Sequence, residues 1–206
     1  MVLPNPLDDV YGPFERVTPG EGRRILYGFD GRWWVAGGWA IESFTETERP
    51  HEDLDICVER SRTPDLINHL AGSLHVWAAG SGALKAMLEP DEPIPPWAGQ
   101  LWVRENARSP WLVDFLISPV VDDLWVYKRD PFLTKPWSEA TRIGADGIRY
   151  ETPEVTLLYK AKHDRSKDRA DLEAALPLMG AEAVRWLRDG LTRAHPGHPW
   201  QARLGV

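Results

Sequence analysis

Asp53 and Asp55 stand two positions apart in the string His51-Glu52-Asp53-Leu54-Asp55-Ile56-Cys57-Val58. The pattern predicts a strand, and alternate strand residues point to one face. Two carboxylates converging on one point can hold a hard divalent cation. Mg2+ is commonly bound by one or two carboxylates together with substrate phosphates. Upstream lies Gly37-Gly38, followed by Trp39-Ala40-Ile41. A glycine pair that opens a helix lets backbone N–H groups approach a phosphate closely. These parts together point to chemistry on a nucleoside triphosphate.

A third acid, Asp114, sits inside the apolar run Trp111-Leu-Val-Asp-Phe-Leu-Ile117. An acid at the centre of an apolar strand is costly unless it is paired, metal-bound or at an open edge. Three carboxylates that meet in space repel, so something positive must stand among them when all are ionised. One or two Mg2+ ions meet that requirement, with Asp53 and Asp55 as ligands. Asp114 would then be a further ligand, or the general base for an attacking hydroxyl. The task in phosphoryl or nucleotidyl transfer is mainly positioning and charge neutralisation. The plainer alternative makes Asp53 and Asp55 solvent-facing residues of an edge strand, Asp114 an ion-paired strand residue, and Gly-Gly only a turn.

The elements that must carry these residues follow from caps and periodicity. Trp33 to Ala36 predicts a short strand ending at Gly37-Gly38, and a helix follows over 39 to 44. Thr63-Pro64-Asp65 predicts a helix with Thr63 as N-cap and Pro64 at its first position. Strands are expected at 74 to 78, 101 to 103 and 111 to 117, with a proline-rich acidic loop over 89 to 96. From Thr152-Pro153 the pattern turns helical. Val155, Leu158 and Lys162 fall on one stripe at helical spacing. Ser166 is expected to cap the next helix, and 181 to 193 reads as a third.

The fold class expected is α+β. A small mixed sheet with flanking helices fills residues 1 to 150, behind an extended leader at 1 to 22. A helical subdomain, 151 to 206, is expected to close the nucleotide cleft. Lys162 on an apolar stripe wants an anion, since burying an ammonium alone is expensive; a triphosphate is the candidate. Lys160 is expected to be solvated. Asp168, at a helix start with Lys167, is expected on the buried stripe and paired with Lys162 or another cation.

Composition bounds the partners. The chain has 206 residues, 43% hydrophobic and 27% charged, enough for one good-sized core. No apolar run approaches the roughly 20 residues of a membrane helix. The single cysteine, Cys57, reads as a core residue. A cytoplasmic location is the expectation. The net charge of −7 argues against broad nucleic-acid binding. The histidines show no spacing suited to zinc. Eleven tryptophans are many for this length, and some are free to line a concave site.

Gly37-Gly38, then Asp53-Leu54-Asp55, then a distant strand acid resembles the signature of the DNA polymerase β-like nucleotidyltransferase superfamily. The fuller string Gly-Gly-Trp-Ala-Ile-Glu (37 to 42), with Arg49, His51 and the two aspartates, is similar to the aminoglycoside 2''-nucleotidyltransferase group. Leu157-Leu-Tyr-Lys-Ala-Lys162, Lys167-Asp168 and Asp171-Leu172 resemble the helical half of the same wider group, and AbiEii-type nucleotidyltransferases are similar there. The resemblance implies Mg2+-dependent transfer of a nucleoside monophosphate from an NTP, with ATP expected, to an acceptor hydroxyl. It implies Asp53, Asp55 and Asp114 as metal-site and catalytic acids. Gly37, Gly38, Lys162 and Lys167 would hold the nucleotide. Gly38 departs from the serine common at that position, and the likeness is thin between Leu74 and Ile117.

A small hydroxylated acceptor is the first reading, aminoglycoside-like if the acids at 89 to 92 and 122 to 123 attract a polycation. The second is a toxin-like enzyme acting on tRNA or protein, which needs a basic surface from Arg142, Arg149, Lys160, Arg165, Lys167 and Arg169. The third is a relative that binds nucleotide without catalysis.

Overall fold

The computed structural model describes residues 11–89 and 91–205. Residues 1–10 of the expected leader lie outside the described residues. In chain order the elements are α1 (Pro19–Ile25), β1 (Trp33–Val35), α2 (Gly37–Thr45), β2 (Asp55–Glu59), α3 (Thr63–Leu70), β3 (His75–Gly80), β4 (Ala83–Ala86), β5 (Gln100–Arg104) and β6 (Val113–Ser118). There follow β7 (Val120–Val121), β8 (Leu124–Val126), β9 (Thr134–Pro136), α4 (Trp137–Ala140), β10 (Thr141–Ile143), β11 (Arg149–Glu151), α5 (Pro153–Ala161), α6 (Ser166–Ala175), α7 (Ala181–Ala194) and α8 (Trp200–Arg203). The fold is mixed α+β, as expected. Two compact units divide the chain: residues 1–33 with 50–118, and residues 34–49 with 119–206.

In the first unit five strands run in the order β2-β6-β5-β3-β4. β2 and β6 are parallel, and the other neighbours are antiparallel. One face is a dry core. Ile56, Val58, Val76, Ala78, Leu101, Val103, Val113, Phe115 and Ile117 lie there, together with Leu66 and Leu70 of α3. The other face carries Asp55, Trp77, Gln100, Trp102 and Arg104, all half-buried. Alternation with period two sorts the two sets, so register fixes which side chains share the open face.

α1 shows how local sequence sets an element. Thr18 accepts from the Glu21 N–H, and the Glu21 carboxylate accepts from the Thr18 N–H at 2.8 Å, a reciprocal capping box. α3 begins one residue earlier than expected. Thr63 is itself helical, Arg62 is the N-cap, and the Thr63 hydroxyl donates to the Arg60 carbonyl at 2.7 Å. The short 3-10 turn over Arg60–Arg62 absorbs the capping role that sequence assigned to Thr63.

In the second unit three strands run β10-β11-β1, with Val35 opposite Tyr150 in the parallel pair. A separate three-stranded antiparallel sheet holds β7-β8-β9. α5 is apolar on most sides, burying Val155, Leu157, Leu158 and Ala161, as expected of a central helix. It packs against α2, α6 and α7. The helical segment from Pro153 onward lies wholly in this unit.

Gly22 and Gly20, both in α1, offer a paired test of packing. A Cβ on Gly22 would come within 2.7 Å of Leu54 Cδ2 and 2.8 Å of Ile56 Cδ1, both fully buried, whereas Gly20 meets nothing nearer than 4.0 Å. Overpacking costs about 1–3 kcal/mol, and alanine gains about 1 kcal/mol over glycine in a helix. Gly22→Ala is therefore expected to lower stability in urea unfolding, and Gly20→Ala to raise it. The opposite order would remove α1 from its seat against β2.

Candidate active site

Strand register brings two of the three expected acids together. Asp55 on β2 stands directly opposite Asp114 on β6. Cα partners on neighbouring strands share a face, with the strands about 4.8 Å apart. The ladder starts at Leu54, whose carbonyl accepts from the Asp114 N–H at 3.0 Å. Asp53 immediately precedes it and is half-buried. Asp114 is only 6% exposed. Gln100 on β5 donates from Nε2 to Asp114 Oδ2 at 2.5 Å and fixes that carboxylate's orientation.

All the donors offered here are carboxylate oxygens, the chemistry a hard cation prefers. Among the described residues no three His, Cys, Asp or Glu side chains already form a metal cage. A catalytic Mg2+ does not need one. It uses one or two carboxylates and completes its shell with substrate phosphates and water. The Asp55–Asp114 pair meets that smaller demand.

In the second unit, Gly37 is the first residue of α2 and takes a φ of +63°, a left-handed backbone that glycine adopts without strain. No side chain caps this helix. Its first N–H groups therefore have no intrahelical partner.

The lysines exchange the roles expected of them. Lys160 is the buried one, 9% exposed, paired with Asp171 at 2.8 Å and Asp168 at 3.5 Å. Lys162 is exposed. The stripe through Val155 and Leu158 was extended past the helix end: α5 stops at Ala161, and Lys162 is its C-cap. Lys162 sits close to His163 and His195. Burial first, then the Lys162 charge, holds the His163 imidazole below its usual value; at His195 burial leads, followed by the charges of His198 and Arg129, with Lys162 the smallest contributor. Lys167, on the first turn of α6, and His51 are half-buried.

Asp168 is fully buried, as its stripe position predicted, and its cations are Arg165 and Lys160 rather than Lys162. Arg165 donates to it from the backbone at 3.0 Å and from Nε at 2.8 Å. Asp171 is gripped again by Arg49, with Nε 3.1 Å from one oxygen and Nη2 3.2 Å from the other. The Arg49 N–H in turn donates to Glu42 at 3.0 Å. Asp171 and Arg49 appeared in the sequence only as letters of the resemblance. Their pairing spans 122 residues of chain, too far for periodicity to reveal.

The acidic loop is less available to a polycation than its composition suggested. Glu92 is ion-paired with Lys85. Glu89 borders a cleft of about 430 Å³ together with Glu105, Ile67 and Ala71. The cleft lies at the β3–β4 edge of the strand order and is lined also by Val76, Trp77 and Ala86.

With the geometry in view, three solved structures share the fold. The lincosamide antibiotic adenylyltransferase LnuA with lincomycin bound superposes with a TM-score of 0.55, at 18% identity over 80% of this chain and 100% of its own. The antibiotic-resistance factor ANT(2'')-Ia in solution gives 0.52, at 16% identity over 82% of this chain and 86% of its own. ANT(2'')-Ia in complex with adenylyl-2''-tobramycin gives 0.52, at 15% identity over 82% of this chain and 92% of its own. In sequence, residues 24–79 match the family model of aminoglycoside-2''-adenylyltransferase. The chain is thus aminoglycoside nucleotidyltransferase-like. No curated protein sequence matches it.

The swapped lysines make a direct test. Removing one partner of a buried ion pair costs about 3–5 kcal/mol, whereas a surface change stays within about 0.5 kcal/mol. Lys160→Met should fall in the first range by urea unfolding and Lys162→Met in the second; equal effects would refute the exchange. The buried carboxylate adds a pH signature. Burial alone would raise the Asp168 pKa, but hydrogen bonds from Arg165 and the charge of Lys160 outweigh it and hold the group below its ordinary value. A depressed carboxylate stabilises fully above about pH 4, and that contribution is lost as pH falls through the lower folded value. Asp168→Asn is expected to flatten this acid limb in unfolding measured from pH 5 to pH 2. An unchanged slope would show that Asp168 does not contribute to it.

Proposed function

We propose that the chain transfers a nucleoside monophosphate, AMP by expectation, from an NTP to a hydroxyl of a small-molecule acceptor and releases pyrophosphate. The observation that carries this reading is the in-register pair Asp55 and Asp114 on the open face of a nucleotidyltransferase fold. The family match over residues 24–79, which includes Gly37, Gly38, Asp53 and Asp55, supports it. Among the structures that share the fold, LnuA is a lincosamide antibiotic adenylyltransferase with lincomycin bound, and ANT(2'')-Ia is in complex with adenylyl-2''-tobramycin.

In this reading Asp53, Asp55 and Asp114 would hold Mg2+, one ion or two. When bound, the metal supplies charge neutralisation for the triphosphate and the leaving pyrophosphate. Asp114, held by Gln100, is also the carboxylate we assign to take the proton from the acceptor hydroxyl. Gly37 and Gly38 offer backbone N–H groups to phosphate oxygens at the start of α2. Lys162, exposed beside two histidines, and Lys167 are the side chains assigned to the same anion.

Three of the six basic residues on which the tRNA-directed reading draws are already ion-paired. Lys160 is paired with Asp171, Arg165 with Asp168, and Arg169 with Asp164. A small-molecule acceptor needs no such surface.

Asp55→Asn and Asp114→Asn are each expected to lower label transfer from α-labelled ATP by about 100-fold or more. A second readout is independent of turnover. Relief of carboxylate repulsion should leave the metal-free variants at least as heat-stable as the parent, and Mg2+ should raise the melting temperature of the parent alone. Retained transfer in both variants, with an unchanged Mg2+ response, would refute the assignment.

A further inference from the structure

The acids belong to a longer row. Asp55 stands opposite Asp114, Asp114 opposite Trp102, and Trp102 opposite Trp77. Four side chains on β2, β6, β5 and β3 therefore lie along one line on the open face. At about 4.8 Å per strand, Trp102 is one spacing from Asp114 and Trp77 is two. Both rings are half-buried, whereas their neighbours on the other face, Val76, Leu101 and Val103, are buried. Tyr11 and Phe14 meet Trp102 in T-shaped contacts at 6.1 and 5.1 Å. Trp111 closes the cluster at 5.4 Å from Trp102 and 6.0 Å from Trp77.

Two features mark this as more than a satellite core. The indole Nε1 of Trp102 is buried, and among the described residues nothing accepts its hydrogen bond. A ligand oxygen would meet that donor. The second feature is charge. Arg104, two residues along β5 from Trp102, holds its guanidinium 4.9 Å from the Trp77 ring centre and 4.2 Å from that of Trp111. Among the described residues no carboxylate is paired with it, and burial lowers its pKa. A molecule lying on the tryptophans thus meets a cation at its far end. A polyammonium compound is repelled there, and a neutral or acidic one is not.

We propose that Trp102 and Trp77 form the acceptor subsite, and that the acceptor is a ring-bearing hydroxyl compound of neutral or negative charge rather than a polycation. This rests on the nucleotidyl-transfer reading and deepens it. Ring faces stack on the indoles, and Arg104 selects the charge at the distal edge. The acceptor hydroxyl oxygen bonds to the α-phosphorus as the bond from that phosphorus to the bridging α–β oxygen breaks. Pyrophosphate leaves, and the hydroxyl proton goes to the Asp114 carboxylate.

Three probes separate the possibilities: p-nitrophenyl β-glucoside (neutral), p-nitrophenyl β-glucuronide (anionic) and tobramycin (polycationic). Each is titrated against the full chain with Mg2+, reading tryptophan fluorescence and label transfer from α-labelled ATP. The two glycosides are expected to change the fluorescence and take label, with kcat/KM at least 10-fold above tobramycin. Trp77→Leu should raise the acceptor KM about 10-fold and leave the KM for ATP in place. Trp102→Phe keeps the stack and loses the N–H, so it should raise the acceptor KM about 3-fold if packing around it tolerates only a mild change. Arg104→Gln should weaken the glucuronide and spare the glucoside. Preference for tobramycin, or no response to either glycoside, would overturn the acceptor assignment. Mg2+-dependent ATP binding, present in the parent and lost in Asp55→Asn, would still stand for the nucleotidyl-transfer reading in that event. Its absence would overturn that reading separately.

Discussion

Two carboxylates at the same level on adjacent parallel strands are a standing electrostatic demand. Asp55 and Asp114 are held opposite each other by the ladder itself, in which the Asp114 N–H donates to the Leu54 carbonyl. Neither strand can slip to separate them without turning its apolar set to the wrong face. The repulsion is met either by a positive partner or by protonation. The rest of the first unit makes the arrangement tolerable. Ile56, Val58, Phe115 and Ile117, on the opposite face of the same two strands, are buried to within about a percent. Their burial supplies the free energy against which the acid pair is held.

A parallel pair also dictates the intervening chain. β2 and β6 run the same way, so the polypeptide must cross over between them. α3 supplies the helical part of that crossover, and β5 lies antiparallel beside β6, with β3 and β4 beyond it. That arrangement lays two tryptophans in line with two aspartates. The two acids, the two tryptophans and Arg104 therefore share one face through one register.

The second unit solves a different electrostatic problem. Lys160, Asp168 and Asp171 are buried near one another, and Arg49 and Arg165 reach them from more exposed positions. Three cations face two carboxylates, so no acid in the cluster lacks a counter-charge. Such a cluster adds little net stability over an apolar core, but each member becomes expensive to remove once the others are in place. It also fixes α6 against α5 where the apolar stripe of α6 is short, with only Asp168, Asp171, Leu172 and Ala175 buried. Arg49 carries the tie on to the segment that follows α2.

Legibility in the sequence followed the range of the forces involved. Asp55 was readable because the apolar run after it is a strand signal, although β2 begins only there and leaves Asp53 before the strand, and Asp114 because an acid in an apolar strand must be explained. Lys160 was misread because helical periodicity cannot see where a helix ends. Counting from Val155 through Leu158 reached Lys162 only by running one residue beyond Ala161. Thr63 was misread for a similar local reason, since an unforeseen 3-10 turn moved the cap to Arg62. The tryptophans could be counted but not sorted, because register between β5 and β3 is a long-range fact. That register is also what the 15–18% identity to antibiotic adenylyltransferases leaves open. Acceptor chemistry must therefore be argued from Trp77, Trp102 and Arg104 themselves. Two indoles and a guanidinium that no carboxylate pairs with among the described residues match the flat face of a ring better than a cluster of amines.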